Sequence, residues 1–499
     1  STRFWEPSTI IGGDTYSPQY DPTTQKFKIN HNIYGGGNAA CTIGKTDENN
    51  KLSGGNARVY MEKGLLYETT QVLSDAAQEN YNFFASNEWK EVFNKVGSPH
   101  FCVFGAGYGE NTIVKGNTWL NIEMSERPSI IDSTLNIKPD EEYKHFYSGY
   151  SVMDLVGGGY SGKVEGDTHI IGSGGGFCRR VFGGGFYNSV QNTHIDLKAI
   201  DCQDIFGGGL MGNVIKSTNI TVGQNGKATS QASESGSEGT SSSSGFTNKD
   251  IFVHGNIYGG NDVSGYVNIN DDNGFFSANT DDSESGTNIH IYGGHIYGDV
   301  YGAGNGDYLY ALDRKGNTKV TVNEDYPLNP NDPNSETVDL VYTVPMRESM
   351  PSYKAASDAA KIVNINSWRP LTNKTEIHIE GVSTSDKVQI DGAVYGGGNS
   401  ATVMKVQAPA TTTQSVELVG TVDINIGSHV NIGSVFMGCN GDALFTATED
   451  NNFMSKFQRL NGSVYDATKE LNFADTIDWV NDPSNVSISE LYLPTKAKD

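Results

Sequence analysis

No stretch of the chain approaches the roughly 18 consecutive apolar residues of a membrane-spanning helix, which sets that class aside. Basic residues are scarce: 35 Lys and Arg stand against 59 Asp and Glu, a net charge of −24. A surface without surplus cations has nothing to exchange for the counterions of a phosphate backbone, so nucleic acid drops out as a partner. Cysteine is sparse too. Cys41, Cys102, Cys178, Cys202 and Cys439 make an odd number with no CxxC spacing. That supports neither a zinc cage nor a dense disulfide framework, and it leaves them as small buried thiols. Glycine is abundant, 60 residues of 499, but has no every-third-residue period, so a collagen helix is out. The chain opens at Ser1 with no charged-then-apolar leader, which reads as a mature form or an excised piece of something longer.

What is present is a repeat. One phrase is an aliphatic, an aromatic, then glycines: Ile33-Tyr34-Gly35, Val103-Phe104-Gly105, Val181-Phe182-Gly183, Ile205-Phe206-Gly207, Ile257-Tyr258-Gly259, Val300-Tyr301-Gly302 and Val394-Tyr395-Gly396. A second is Thr-x-aliphatic-x-aliphatic, opening at Thr118, Thr193, Thr218, Thr287, Thr318 and Thr375. Thr168, Thr193 and Thr218 follow one another at 25 residues, and the glycine phrases keep step. Short strand-like runs at that period are what one coil of a parallel β-helix needs, because no unit can bury its own face and successive coils must share a core. Leucine-rich repeats would need LxxLxL, and propeller blades about 40 residues or more. The expected fold is therefore all-β, a right-handed parallel β-helix of about a dozen ~25-residue coils, with handedness taken from the general crossover preference. The glycines are expected to turn the chain at positive φ. The asparagines that follow them, Asn38, Asn261, Asn305, Asn399 and Asn440, are expected to form an axial amide ladder.

Four stretches break the period. Residues 61–100 carry apolar residues at three-to-four spacing and predict a helical hairpin packed on the side of the solenoid. Residues 224–249 are a Ser/Gly-rich loop, and residues 323–372 an irregular insertion. The β-helix thus spans 1–441, with 442–499 as a cap or flanking segment.

Strand alternation places the threonines inward and their neighbours outward, so His169 and His194 are expected ~5 Å apart on consecutive coils, with Asp196 two residues along. Two imidazoles and a carboxylate are donors for a divalent transition metal, although a solvated polar face is the plainer reading. Tyr258, Tyr292, Tyr297, Tyr301 and Tyr395 would form an aromatic lane able to grip a glycan, or, as the free interchange of Tyr and Phe favours, an inward or laterally covered ladder that fills the coil. No cofactor is expected. Ca²⁺ has slight support from Gly302–Leu309, which partly resembles a β-roll nonapeptide, and from Asp271, Asp272, Asp281 and Asp282. Asp154, Arg179, Arg180, Asp201 and Asp204 fall in neighbouring coils, but no catalytic constellation can be aligned from them.

The phrases IYGGGNAA, VFGGGFYNSV and VYGGGNSATV resemble those of Gly-rich β-helix surface and secreted proteins of Bacteroidota, adhesin-like, and are loosely similar to autotransporter passenger domains. The resemblance implies a solenoid displayed outside the cell, and it transfers no functional residue. The expectation is a non-enzymatic extracellular protein that contacts a polysaccharide or a surface protein. A polysaccharide lyase or glycoside hydrolase with a lateral site is the alternative, and end-to-end self-association a weaker one.

Overall fold

The computed structural model describes residues 8–11, 20–21, 26–29, 32–46, 48–49, 52–61, 65–66, 102–123, 151–225, 247–270, 277–278, 286–312, 318–327, 337–344, 369–403, 405–407, 417–419, 421–440, 459–460, 463–464 and 486–492. These residues form an all-β parallel β-helix, whose one helical feature is a 3₁₀ turn at Asn248–Asp250. The aliphatic-aromatic pairs stack in parallel register, with Ile33, Val103, Leu155, Val181, Ile205, Ile257, Val300, Val394, Val435 and Leu491 marking ten successive levels. The threonine-led strands stack likewise, from Ser8–Ile11 through Thr118–Glu123 and Thr218–Val222 to Thr421–Ile426. A middle face lies between them, running from Ser151–Asp154 to Val486–Ile488, and a short fourth segment follows the glycine turn.

Among the described residues there are fewer levels than the 25-residue period predicts, and some repeat-like sequence lies outside the stack. Thr318–Pro327 carries the threonine phrase, yet it pairs antiparallel with Leu309–Leu312 and Thr337–Val344 in a separate sheet. Alternation alone makes any half-buried strand look like a coil. Within the C-terminal segment, Val486–Tyr492 continues the stack on Val430–Phe436. Of the expected helical hairpin, Met61 and Leu65–Leu66 lie in strands, and residues 67–100 are outside the described residues. Residues 226–246, 328–336 and 345–368 of the other two insertions are also outside them.

Among the described residues burial gives three cores, the smallest of them a row of Val114, Val164, Val190, Val214 and Val267 beyond the glycine turn. Val103, Ile170, Ile195, Ile205, Ile220, Ile289 and Ile377 fill the coil interior together with Cys178 and Cys202, which are in register. The aromatics point away from that interior into a second core closed by the chain after the glycine turn, with Phe186, Leu210, Met211 and Val263 over them. Their rings stack at 4.7–5.0 Å from Phe182 through Phe206, Tyr258, Tyr301 and Tyr395 to Phe436. Val156 interrupts the column, and Phe186 fills the gap, set edge-on at 5.2 Å to Phe104 and 5.4 Å to Phe182.

The two sequence phrases prove to be one device. The hydroxyls of Thr118, Thr168, Thr193, Thr218, Thr287 and Thr375 donate across the interior to the carbonyls of Gly157, Gly183, Gly207, Gly259, Gly302 and Gly396, at 2.5–2.6 Å. Each bond satisfies a buried carbonyl that strand pairing leaves over. Positive φ is not the reason for these glycines. It is found instead at Gly44, Gly54, Gly55, Gly223, Gly265, Gly286 and Gly294. A Cβ at Gly183 would strike the Gly207 carbonyl, and one at Gly207 the Gly259 carbonyl, so close axial approach of the backbones excludes a side chain.

Candidate functional site: a histidine pair on the threonine face

The residues outward of the inner threonines form a single column: Arg58, Trp119, His169, His194, Asn219, Asn288, Glu376 and Asp423 occupy equivalent positions on successive strands. Parallel in-register pairing forces like positions together at strand spacing. The His169 and His194 rings accordingly stack at 4.7 Å and 9°, and Trp119 covers the other face of His169 at 3.9 Å and 6°. Arg58 lies 5.8 Å from the Trp119 ring, within cation–π range.

The carboxylate beside this pair is Asp167, not Asp196. The outward side chain of Asp196 lies two residues further along the strand and faces Lys198 Nζ at 3.9 Å. Asp167 Oδ2 lies 4.0 Å from His194 Nε2, and one ligand atom from each of Asp167, His169 and His194 falls within 4.8 Å of the other two. Burial pushes the His169 imidazole down to about 4, with His194 adding to the effect, and burial lowers His194 as well. Both rings are therefore neutral at neutral pH, and His169 Nε2 has no hydrogen-bond partner among the described residues.

Asp167 is held by a ladder that sequence reasoning missed. Asn56 Oδ1 accepts from the Asn117 amide, Asn117 Oδ1 from Asp167, Asp167 Oδ1 from Asn192, and Asn192 Oδ1 from Ser217, at 2.9–3.2 Å. The Asn192 side-chain amide adds a 2.9 Å bond to the same Asp167 oxygen. The signal was in the sequence: Asn or Asp immediately precedes Ala57, Thr118, Thr168 and Thr193. A similar ladder runs through Asn32, Asp204, Asn256 and Asp299, each accepting from the backbone amide of the next level. It also explains the choice of Tyr over Phe at Tyr34, Tyr258 and Tyr301, whose hydroxyls bond to Asn32, Asn256 and Asp299 two residues earlier.

The five tyrosines expected to form a lane do not share one. Tyr258 and Tyr301 are 4% and 3% exposed in the aromatic core, and Tyr395 stacks beside them half-buried. Tyr292 sits beside His290 and His378, and Tyr297 stacks on His295 at 3.8 Å and on His254 at 5.1 Å. The exposed aromatic group is a different one. Tyr108, 44% exposed, stacks on Tyr160 at 4.9 Å, with Tyr187 edge-on to Tyr160.

At the corner between the middle and aromatic faces, Asp154 is fully buried and accepts two hydrogen bonds from Arg179 and two from Arg180, at 2.7–3.0 Å. These guanidinium groups outweigh the desolvation of its carboxyl and hold it well below the usual carboxylate range. Arg180 also reaches Asp262 at 3.4 Å, where Tyr308 and Asn305 donate. Asp204 is in register with Arg180, and burial pushes its carboxyl up to about 7. Asp201 lies in the same strand, on the middle face.

The amide ladder forms from Asn305, Asn399 and Asn440 at 3.1 Å steps and ends on Asp262, while Asn261 instead bonds the carbonyls of Gly212 and Ser264. Asn305 of the nonapeptide-like Gly302–Leu309 belongs to that ladder. Asp271, Asp272, Asp281 and Asp282 lie outside the described residues. Comparison with protein-family models, curated proteins and solved structures finds no match to the chain.

Proposed function

We propose that the chain is a non-enzymatic, adhesin-like β-helix of the cell surface or extracellular space, a spacer that presents outward side chains at fixed axial intervals to a glycan or a protein partner. The observation that carries this reading is the state of the Asp154 corner. The carboxylate and the arginines that a polysaccharide-cleaving site would use are consumed by one another, with Asp154 0% exposed and all four of its bonds to guanidinium groups internal. Contacts instead fall to the exposed Tyr108 and the half-buried Tyr160 stacked on it, whose edges and hydroxyls suit sugars or protein surfaces. Among the described residues, no helix is long and apolar enough to cross a membrane.

The test is mass-spectrometric profiling of mixed host and plant polysaccharides incubated with the protein, with and without Ca²⁺. An unchanged pool with one glycan retained, and retention reduced several-fold by Tyr108→Ala, supports a glycan-binding surface. New oligosaccharides overturn it. One observation favours that second reading, a lyase or hydrolase: Asp204, pushed up to about 7 beside Arg180, has the proton affinity of a general acid. In that case Asp204→Asn abolishes product formation.

A further inference from the structure

We propose that Asp167, His169 and His194 bind one divalent transition-metal ion, Zn²⁺ or Cu²⁺ by the character of the donors, on the outer side of the threonine-led face. This site is independent of the adhesin reading, since it requires neither a glycan nor a partner.

The first argument is the chemistry of Asp167. The ladder position asks only for a side-chain oxygen that accepts the next level's amide, and Asn56, Asn117 and Asn192 supply it with a neutral amide. Asp167 does the same work with Oδ1. Its second oxygen is surplus to the ladder, carries negative charge and faces His194. The bonds from Asn192 orient the carboxylate as an outer-shell partner does in a metal site.

The second argument is His169. A buried ring nitrogen without a partner costs free energy, and an ion is one way to satisfy it. Trp119 stacked on the opposite face fixes the ring in place. The His194 and Asp167 side chains are 42% and 31% exposed, which gives an ion access from solvent.

The donors are not yet closed on a point. Two ligands of a tetrahedral ion at ~2.0–2.1 Å lie about 3.3 Å apart, so these atoms must approach by about 1 Å. His194 and Asp167, whose side chains reach solvent, would make that movement by rotation, while His169 stays stacked against Trp119. The other histidine pair of this face is built differently. His290 and His378 are 5.8 Å apart and tilted by 43°, and His378 Nε2 already faces Glu380 at 3.5 Å.

The test uses the full chain titrated calorimetrically with Zn²⁺ alone near pH 7.5, with Cu²⁺ followed by electron paramagnetic resonance. The expected result is one ion per chain, weakened at least ~10-fold by Asp167→Asn and by His194→Ala, and unchanged by Asp196→Asn and by His378→Asn. Asp167→Asn keeps the ladder acceptor and so leaves the fold intact. Should His194→Ala unfold, the Cu²⁺ spectrum decides: coupling to two nitrogens that persists in His378→Asn supports the site. No stoichiometric binding, coupling to fewer than two nitrogens, or equal affinity in Asp167→Asn overturns it.

Discussion

The inner and outer sides of the threonine-led strands are one residue apart in sequence and follow different rules. Inward, Thr118, Thr168, Thr193, Thr218, Thr287 and Thr375 all make the same bond to a glycine carbonyl. Outward, on the strands that these threonines lead, stand Trp119, His169, His194, Asn219, Asn288 and Glu376, four residue types in six positions. The backbone lattice explains the difference. Six successive levels present the same unpaired carbonyl to the interior, and the same donor recurs at each, whereas Ala57 and Val422 hold the position on the strands to either side. The outer position answers only to the side chains above and below it and to solvent, which leaves it open to contacts, and that is where the histidine pair lies.

The largest effect that would sharpen this contrast comes from the glycine side of the device. Gly207→Ala places a Cβ against the Gly259 carbonyl and the Thr218 Cβ, neither of which is the far end of a flexible side chain that could yield. A loss of about 3–5 kcal/mol is expected in denaturant unfolding. Asn219→Ala, on the outer side one level further along, should cost no more than about 1 kcal/mol, although it removes a 3.1 Å bond to the Thr193 carbonyl. Comparable losses from the two variants would break the comparison.

Next in size is the corner that belongs to neither side. Asp154→Asn removes the charge that two buried guanidinium groups share, and a cost of about 3–5 kcal/mol is expected, read as a lowered denaturation midpoint. Thr193→Val follows, at about 1–3 kcal/mol, because it leaves the Gly207 carbonyl buried without its donor. Thr118→Val and Thr287→Val should cost about the same, since their bonds are the same. Widely unequal values would mean that the inner row is not one repeated device.

The legibility of the molecule follows the same division. The 25-residue spacing of Thr168, Thr193 and Thr218 was enough to place their strands in register, and with them His169 opposite His194. Periodicity determines which residues are neighbours along the axis. It could not say which carboxylate joins the pair, because Asp167 reaches it from the ladder position before the strand and Asp196 lies on the strand itself. Nor could it separate Thr318–Val322 from a true coil, since alternation is common to every half-buried strand. The aromatic lane misled for a related reason. Tyr258 and Tyr301 stack in a covered ladder instead, and the covering by Phe186, Met211 and Val263 depends on how the chain folds back after the glycines, which periodicity does not report.

The smallest expected effect is a pair of opposed pH dependences, one from the outer side and one from the corner. Asp204 binds its proton more tightly folded than unfolded, with its carboxyl raised from 3.8 to about 7. Its contribution is complete below about pH 4 and is lost as the pH rises towards 7. His169 is lowered from 6.5 to about 4, so it binds its proton less tightly when folded. Its contribution is present above about pH 6.5 and is lost as the pH falls towards 4. Asp262 and Asp196, both raised by burial, act with Asp204, whereas His194 and His290, both lowered, act with His169. Across pH 4 to 6.5 the two sets oppose each other. Partial exposure of the His169 side chain reduces its effect to on the order of 1 kcal/mol. Relative to the unaltered protein, Asp204→Asn should therefore make stability rise more steeply with pH over that window, and His169→Asn should make it fall. Urea midpoints at pH 4, 5 and 6.5 read both slopes. If His169→Asn leaves the slope unchanged, the imidazole is not held neutral by its surroundings, and the outer column is a solvated face with no distinct electrostatic character at His169.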